Sequence, residues 1–283
     1  MKKNLLQTGI ILLAAVAICS SCNQRPKATE DKVTNSKGQI ATVEVGGYDP
    51  AKLAKMIVET IKASPKSVEL INFLNGVGVS YMSNLTVPLQ NVEKYLTVVD
   101  QSFAFGMYLF DQAYANSYKR DDAVAQLSVV NRTLMKKLGL EGNPDLTEAG
   151  TRFKQNQSNA DSLNVIVRDY WNKIGSSTYT MEHPGVIAQF YIGLNIEGLY
   201  ILTQVALMSK DNATLINFIG KQKERIQANY SVLEMTAADA AVAPIFEKMK
   251  PIMNYFNNNQ EFTAKQLGEV GPMIEQIRKE LVK

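Results

Sequence analysis

The stretch 184–208 decides the fold; its sequence is PGVIAQFYIGLNIEGLYILTQVALM, which is apolar on almost every side when wound as a helix. A helix of that kind lies either at the centre of a bundle or across a membrane. Polar residues interrupt it at Gln189, Asn195, Glu197 and Gln204. Because an acid inside a bilayer is costly without a partner, we predict the core helix of a bundle rather than a span.

The segments on both sides of this stretch carry helical patterns. Leu53, Met56, Ile57 and Ile61, for example, recur at the spacing of one helical face. Short polar joints between such segments favour antiparallel neighbours. The sequence therefore predicts an all-α fold, an antiparallel helical bundle of about eight or nine helices. The expected helices are 50–63, 65–76, 89–118, 121–138, 145–174, 184–208, 211–234, 238–257 and 263–282.

Proline marks several expected helix starts. It follows a residue able to cap in the pairs 49–50, 64–65, 143–144 and 183–184. Proline at the first helical position loses no hydrogen bond, and its fixed φ suits the helix. Thr263 with Gln266 is typical of a capping box. Pro251 and Pro272 fall inside the last two expected helices and are expected to kink them.

Composition excludes several classes of function. The 283 residues carry a formal net charge of +3, too little for a broad nucleic-acid footprint. Both cysteines, Cys19 and Cys22, lie near the start, so the rest of the chain has no disulfide or cysteine-based zinc site. His183 is the only histidine, and neither a di-iron motif nor a phosphate-binding loop is present. We expect no catalytic site, no metal and no cofactor.

The first residues are typical of a targeting segment. Lys2 and Lys3 precede an unbroken apolar run at 10–18, which suits a signal peptide and is too short for a mature span. We expect a signal peptide over 1–21, a flexible tether over 22–48 and a single all-helical domain over 49–283. An ordinary secretory signal with an incidental cysteine is the alternative.

The residues before Cys22 resemble the lipobox of bacterial lipoproteins, since Ser20 and Ser21 are small. The resemblance implies cleavage before Cys22, diacylglyceryl attachment at its sulfur and acylation, with palmitate for example, of the new amine. Cys19 departs from the pattern, which usually has an aliphatic residue there. Asn23 resembles the residue found in lipoproteins destined for the outer membrane. It favours the periplasmic face, with surface exposure as the alternative.

Two segments share a faint pattern in which an acid is followed three residues later by tyrosine. Asp111 and Tyr114 form the first instance, and Glu197 and Tyr200 form the second, 86 residues further on. Each is followed by a polar joint and another helical segment. A duplicated helical hairpin unit would explain the pattern, and so would chance similarity between two core helices.

These stretches, with the lipobox-like start, resemble a group of uncharacterised all-helical lipoproteins of Bacteroidota. In that group a Gly-x-Tyr-x-x-Asp-x-x-Tyr-like helix precedes a Gly-Gly-Trp-x-Glu-Gly-Leu-Tyr-like helix. The second motif departs here, with Leu194 and Asn195 near the family's tryptophan. The resemblance implies a fold and a location but no activity. The matching residues are Gly106, Tyr108, Asp111, Tyr114 and the run 197–200.

Asp111 and Glu197 are the candidate site residues, because an acid on an apolar helix face must be paired, hydrogen-bonded or protonated. Arg132 and Arg168 are candidate partners. Two interpretations stay open: a polar network that fixes helix register, or a pocket in which both acids, with Tyr114 and Tyr200, bind a small molecule or ion.

The function expected first is that of a lipid-anchored, non-enzymatic binding or scaffold protein of the cell envelope. A small-molecule or ion-binding protein that uses the polar pocket is the alternative. A hydrolase that uses an acid pair is a third hypothesis, and two carboxylates at the spacing found in glycosidases, opening to a cleft, would favour it.

Overall fold

A computed structural model describes residues 50–141, 183–210, 212–258 and 261–283, with the single positions 148, 151, 152, 165, 169, 173 and 180. Every regular element among them is helical, which confirms the predicted all-α bundle. Two 3₁₀ helices, Ser83–Leu85 and Leu89–Lys94, precede the third α-helix. The α-helices of the described residues are α1 Pro50–Ala63, α2 Val68–Gly76, α3 Val98–Ser117, α4 Asp121–Lys137, α5 Pro184–Met208, α6 Ala213–Gly220, α7 Lys223–Thr236, α8 Ala243–Asn258 and α9 Ala264–Leu281.

Helix α5 is the centre of the bundle. Helices α1, α3, α7 and α9 all pack against it. It is the one helix of the described ranges long and apolar enough to cross a membrane, and 89% of its most apolar window is buried by its neighbours. The predicted burial of this segment is therefore confirmed, and its apolar surface on every side follows from having neighbours on every side.

Helices α3 and α5 touch backbone to backbone through two glycines. A Cβ atom on Gly106 would lie 2.1 Å from the carbonyl oxygen of Phe190, and one on Gly193 would lie 2.1 Å from that of Phe103. No side chain fits at either position. Further along both helices, Gly198 meets the ring of Phe110, so α3 and α5 run in the same direction.

The contacts between α3 and α5 are reciprocal. Gly106 and Gly193 are 87 residues apart, and so are Phe103 and Phe190, so an approximate two-fold relation connects the pair. The helices that follow differ, since α4 runs antiparallel along α3, whereas α6 has little contact with α5, whose larger neighbours besides α3 are α9 and α7. The internal likeness among the described residues is therefore centred on α3 and α5.

The predicted start of the second helix at Pro65 is wrong, because α2 begins at Val68. The Ser64 hydroxyl donates back to the carbonyl oxygen of Ile61, and the Lys66 ammonium donates to carbonyls at the end of α1. The carbonyls of residues 65 and 66 accept hydrogen bonds from Arg225, and the carbonyl of residue 66 also accepts one from Glu69 N at the turn into α2. Tertiary contacts have overridden the local helix-start signal.

Other helix boundaries also differ from prediction. The segment expected as 89–118 contains a 3₁₀ helix and a separate α3, and the segment 211–234 is divided into α6 and α7. Pro251 and Pro272 lie within α8 and α9, which continue through them. The predicted capping box at Thr263 is confirmed. The signal peptide, the tether and most of the expected helix 145–174, with its start at 143–144, lie outside the described residues.

We predict that Gly106→Ala and Gly193→Ala each lower the free energy of unfolding by about 2 kcal/mol or more, because the added methyl forces the central helices apart. Gly268→Ala is the matched control. Gly268 lies inside α9, where a Cβ would meet nothing within 4 Å. Alanine there should be neutral or should stabilise by up to about 1 kcal/mol. Urea unfolding measures all three, and equal effects at the three glycines would contradict the close crossing.

Candidate functional site

The structure brings Asp111 of α3 and Glu197 of α5 together and adds a cation from α9. Both carboxyl groups are 0% exposed. The Arg278 guanidinium binds the Glu197 carboxylate through two hydrogen bonds, from Nε to Oε2 and from Nη2 to Oε1, each 2.8 Å long. Such a two-point pair is the geometry in which arginine binds a carboxylate most strongly.

The surroundings of Asp111 raise its pKa and so favour the protonated form. Burial raises its pKa well above the usual value, and the Glu197 carboxylate raises it further, although the Val87 hydrogen bond and Arg278 oppose the shift. Asp111 Oδ1 is buried and accepts no hydrogen bond from a described residue. A proton on Asp111 removes that deficit, since the neutral carboxyl then donates to Glu197, with which it shares a hydrogen bond.

Glu197 is the acid whose charged form is stabilised by Arg278. Burial raises its pKa overall, although Arg278 and the hydrogen bond with Asp111 oppose that shift. Burial alone would lower the pKa of Arg278, and the Glu197 carboxylate reverses this and raises it. One cation, one anion and one neutral acid therefore give this buried group no net charge, which is the condition under which charges are tolerated in a core.

The group fastens the segment 82–88 to the bundle. Its backbone polar groups lie over α3 and would lose water without other partners. Three side chains from one face of α3, at positions 108, 111 and 114, form hydrogen bonds with these backbone groups. The bonds run from Val87 N to Asp111 Oδ2 at 2.8 Å, from Met82 N to the Tyr114 hydroxyl at 3.1 Å, from the Tyr108 hydroxyl to Pro88 O at 2.8 Å, and from Arg278 Nη2 to Leu85 O at 2.9 Å.

The two tyrosines named from the sequence have different surroundings. Tyr114 is buried and its ring packs against Tyr81 at 4.9 Å between centroids. The ring of Tyr200 lies under the Arg278 guanidinium, 4.0 Å from its central carbon, where a cation–π contact adds to the ion pair. Tyr200 therefore supports Arg278, whereas Tyr114 supports the segment 82–88.

The prediction that Arg132 pairs with a buried acid is wrong, since Glu197 pairs with Arg278. The other candidate partner, Arg168, lies outside the described residues. Nothing near Arg278 in the sequence indicates its role. It is one of two basic residues in the last turn of α9, where cations are ordinary complements to the helix dipole. Only the three-dimensional fold brings it to Glu197, 81 positions earlier in the chain.

A second buried cation was missed by sequence reasoning. Arg225 follows Lys221 and Lys223 in a basic run that is typical of an exposed helix face, but Arg225 is 0% exposed. Its guanidinium donates to Asn195 Oδ1 at 2.9 Å and to Gln222 Oε1 at 2.9 Å. It also donates to the carbonyls of residues 65 and 66 and lies 3.7 Å from the half-exposed Glu69 carboxylate. Arg225 thus joins α7 to α5 and to the α1–α2 joint.

The arrangement around Asp111 and Glu197 is built for internal bonding. Both carboxyl groups lack a solvent-exposed surface, so they do not line an open cleft of the kind that the hydrolase hypothesis requires. No group of three or more metal-ligating side chains occurs among the described residues. Among the described residues, the contacts of both acids are with other side chains and with the backbone of the segment 82–88.

Comparisons of the chain with protein-family models, with curated proteins and with solved structures found no match. The interpretation of the site therefore depends on its geometry.

We predict that Asp111→Asn is tolerated and changes the dependence of stability on pH. Asparagine keeps an acceptor for the Val87 N–H and a donor toward Glu197, so at pH 4 its stability should match the wild type to about 1 kcal/mol. The unfolded aspartate loses its proton above about pH 4, whereas the folded one keeps it. The wild type should therefore lose stability relative to the variant, by up to about 1.4 kcal/mol per pH unit, until the pH passes its folded-state pKa.

Urea unfolding between pH 4 and 8 measures this difference. Asp122→Asn is the control, because the Asp122 side chain is 76% exposed on α4. The Asp122→Asn variant should not gain stability relative to the wild type as the pH rises. Parallel stability curves for the wild type and Asp111→Asn would contradict a protonated Asp111.

We predict that Arg278→Leu lowers the free energy of unfolding by about 3–5 kcal/mol, because it leaves the Glu197 carboxylate buried without a cation. Adding Glu197→Gln should recover much of the loss, since the remaining charge is then removed. Arg120→Leu, at a half-exposed arginine, is the control and should cost much less. Losses that simply add in the double variant would show that the two side chains do not interact.

Proposed function

We propose that this chain is a lipid-anchored, non-enzymatic protein of the cell envelope whose helical bundle acts as a binding or scaffold module. The observation that carries the proposal is the sealed, charge-balanced group of Asp111, Glu197 and Arg278. Asp111 and Glu197 are the candidate catalytic or ligand-binding acids of the sequence. The polar atoms of the group bind one another and the backbone of the segment 82–88.

The lipid anchor is supported by the sequence. A charged start, an apolar run and small residues before Cys22 are the elements of a lipoprotein signal. Two or more acyl chains give stable membrane attachment, whereas one gives only marginal binding. The polar residues 23–48 would then let the bundle stand off the bilayer. Asn23 favours the outer membrane and its periplasmic face.

Small-molecule or ion binding at Asp111 and Glu197 is the less favoured function. A ligand there would have to replace the Arg278 pair or the Val87 hydrogen bond, because these already use the carboxylate oxygens. It would also have to cross the surrounding core, since neither acid is exposed.

We predict that cells expressing the full chain incorporate an alkyne-labelled palmitate into it and that the protein sediments with the membrane fraction. Cys22→Ala should abolish both the label and the sedimentation, because the acceptor sulfur and the cleavage site are lost. Cys19→Ala is the matched control, a cysteine three residues earlier, and should keep both. Gel fluorescence and fractionation provide the readouts.

Labelling that persists in Cys22→Ala would reject the anchor. The scaffold role has a separate test: crosslinking in intact cells should capture the same partners with the wild type and with Asp111→Asn. A loss of partners or the appearance of an accumulated substrate with that variant, at unchanged stability, would reject a structural role for the buried acids.

A further inference from the structure

The described surface carries a groove next to α6. It has a volume of about 990 Å³ and lies between α6, the end of α8 and the start of α9. A smaller hollow of about 420 Å³ lies on the α2 side of α6 and shares Ala213, Asn217 and Lys221 with the groove. The two cavities adjoin α6 and are together called the α6 groove.

Aromatic side chains line both ends of the α6 groove. At one end Phe256 and Phe262 stack with 5.6 Å between ring centroids, and Tyr255 lies beside them. At the other end Phe73 and Phe218 stack with their centroids 3.6 Å apart. Stacked rings offer a flat apolar surface on which another ring or an aliphatic chain can lie.

Positive charge lies between the aromatic ends. Lys221 and Lys223 are exposed and line the groove, and neither ammonium group forms an ion pair in the described part of the chain. Glu261 is the one acid among the described lining residues, which together carry a net positive charge. The N-terminus of α6 adds to it, because the Asn212 amide donates backward to Ala206 instead of capping the helix.

Neutral amide groups complete the lining. Asn212, Asn217 and Asn257 face the groove and can both donate and accept. A cavity that combines apolar surface with a few polar groups is the usual form of a small-ligand site. We propose that the α6 groove binds a small amphipathic anion, with its carboxylate or phosphate at Lys221 and Lys223 and its ring or apolar body on the Phe256–Phe262 stack.

The proposal does not depend on the lipid anchor or on the scaffold role, since it is argued from the lining of the α6 groove alone. Its test compares indole-3-acetate with indole-3-acetamide, which have the same ring and differ in charge. Each is titrated by calorimetry into the full chain, solubilised in the neutral detergent dodecyl maltoside, at low and high salt. The acetate should bind more tightly, and added salt should weaken only the acetate.

Variants assign the binding to the groove. Lys221→Gln combined with Lys223→Gln should weaken the acetate about fivefold and leave the acetamide unchanged. Lys136→Gln, at an exposed lysine on α4, is the charge control and should change neither probe. Asn217→Trp should fill the groove and weaken both probes. Thermal unfolding of each variant verifies the fold, which exposed positions are not expected to alter.

Three outcomes would overturn the proposal. Equal affinity for the acetate and the acetamide would remove the charge requirement. An acetate affinity that survives the double lysine variant, or falls equally in Lys136→Gln, would remove the role of these lysines. Binding unaffected by Asn217→Trp would place the probes outside the α6 groove.

Discussion

The ion pair between Glu197 and Arg278 is the interaction on which the rest of the structure depends. It joins the central helix to the last helix, across 81 positions of the chain, and the same guanidinium reaches Leu85, 193 positions away. A buried pair adds little net stability by itself, but losing one member leaves a charge in the core. We interpret it as a device for specificity: α9 packs productively on α5 only in the register that brings the two charges together.

Charge neutrality in the centre also requires Asp111 to keep its proton. Its position on α3, next to the Gly106 crossing, places it against α5, so close packing and protonation are coupled. A larger residue at Gly106 would separate the helices and expose the acid to other partners. The motif of glycine, tyrosine, acid and tyrosine on α3 therefore has a structural explanation. The glycine allows the approach, and the three polar residues bond to the segment 82–88 or to α5.

The sequence predicted most of the helical segments and their apolar or polar character, but not which neighbouring helix covers each face. The all-round apolar character of α5 was sufficient to place it at the centre, and the two acids were recognised because acids on apolar faces are unusual. Arg278 and Arg225 were not recognised, since a basic residue near others on a helix normally faces water. Whether it does depends on contacts between distant segments. The late start of α2 is also set by distant contacts, because Arg225 binds the carbonyls of residues 65 and 66 in the joint before it.

Three positions spaced two residues apart divide the contacts of α5 between two sides of the helix. Asn195 binds Arg225 of α7, whereas Gly193 meets α3 and Glu197 binds Arg278 of α9. Because two residues turn a helix by about 200° and four by about 400°, Asn195 points away from Gly193 and Glu197, which lie on the same side. Each neighbour is therefore recognised by a different chemistry: backbone contact, amide and carboxylate. An apolar helix without these residues would accept the same neighbours in several arrangements.

The break between α6 and α7 connects this core to the α6 groove. Gln222 lies in the break, where its amide nitrogen donates to the Phe218 carbonyl at the end of α6 and its oxygen accepts from Arg225. Holding Gln222 and Arg225 inward leaves the intervening Lys223 and the preceding Lys221 outside. Neighbouring residues in the sequence thus differ in burial, with Gln222 and Arg225 in the core and Lys221 and Lys223 in contact with solvent. The buried guanidinium of Arg225 is hydrogen-bonded by groups of the fold, whereas the exposed Lys221 and Lys223 keep their charge available at the surface.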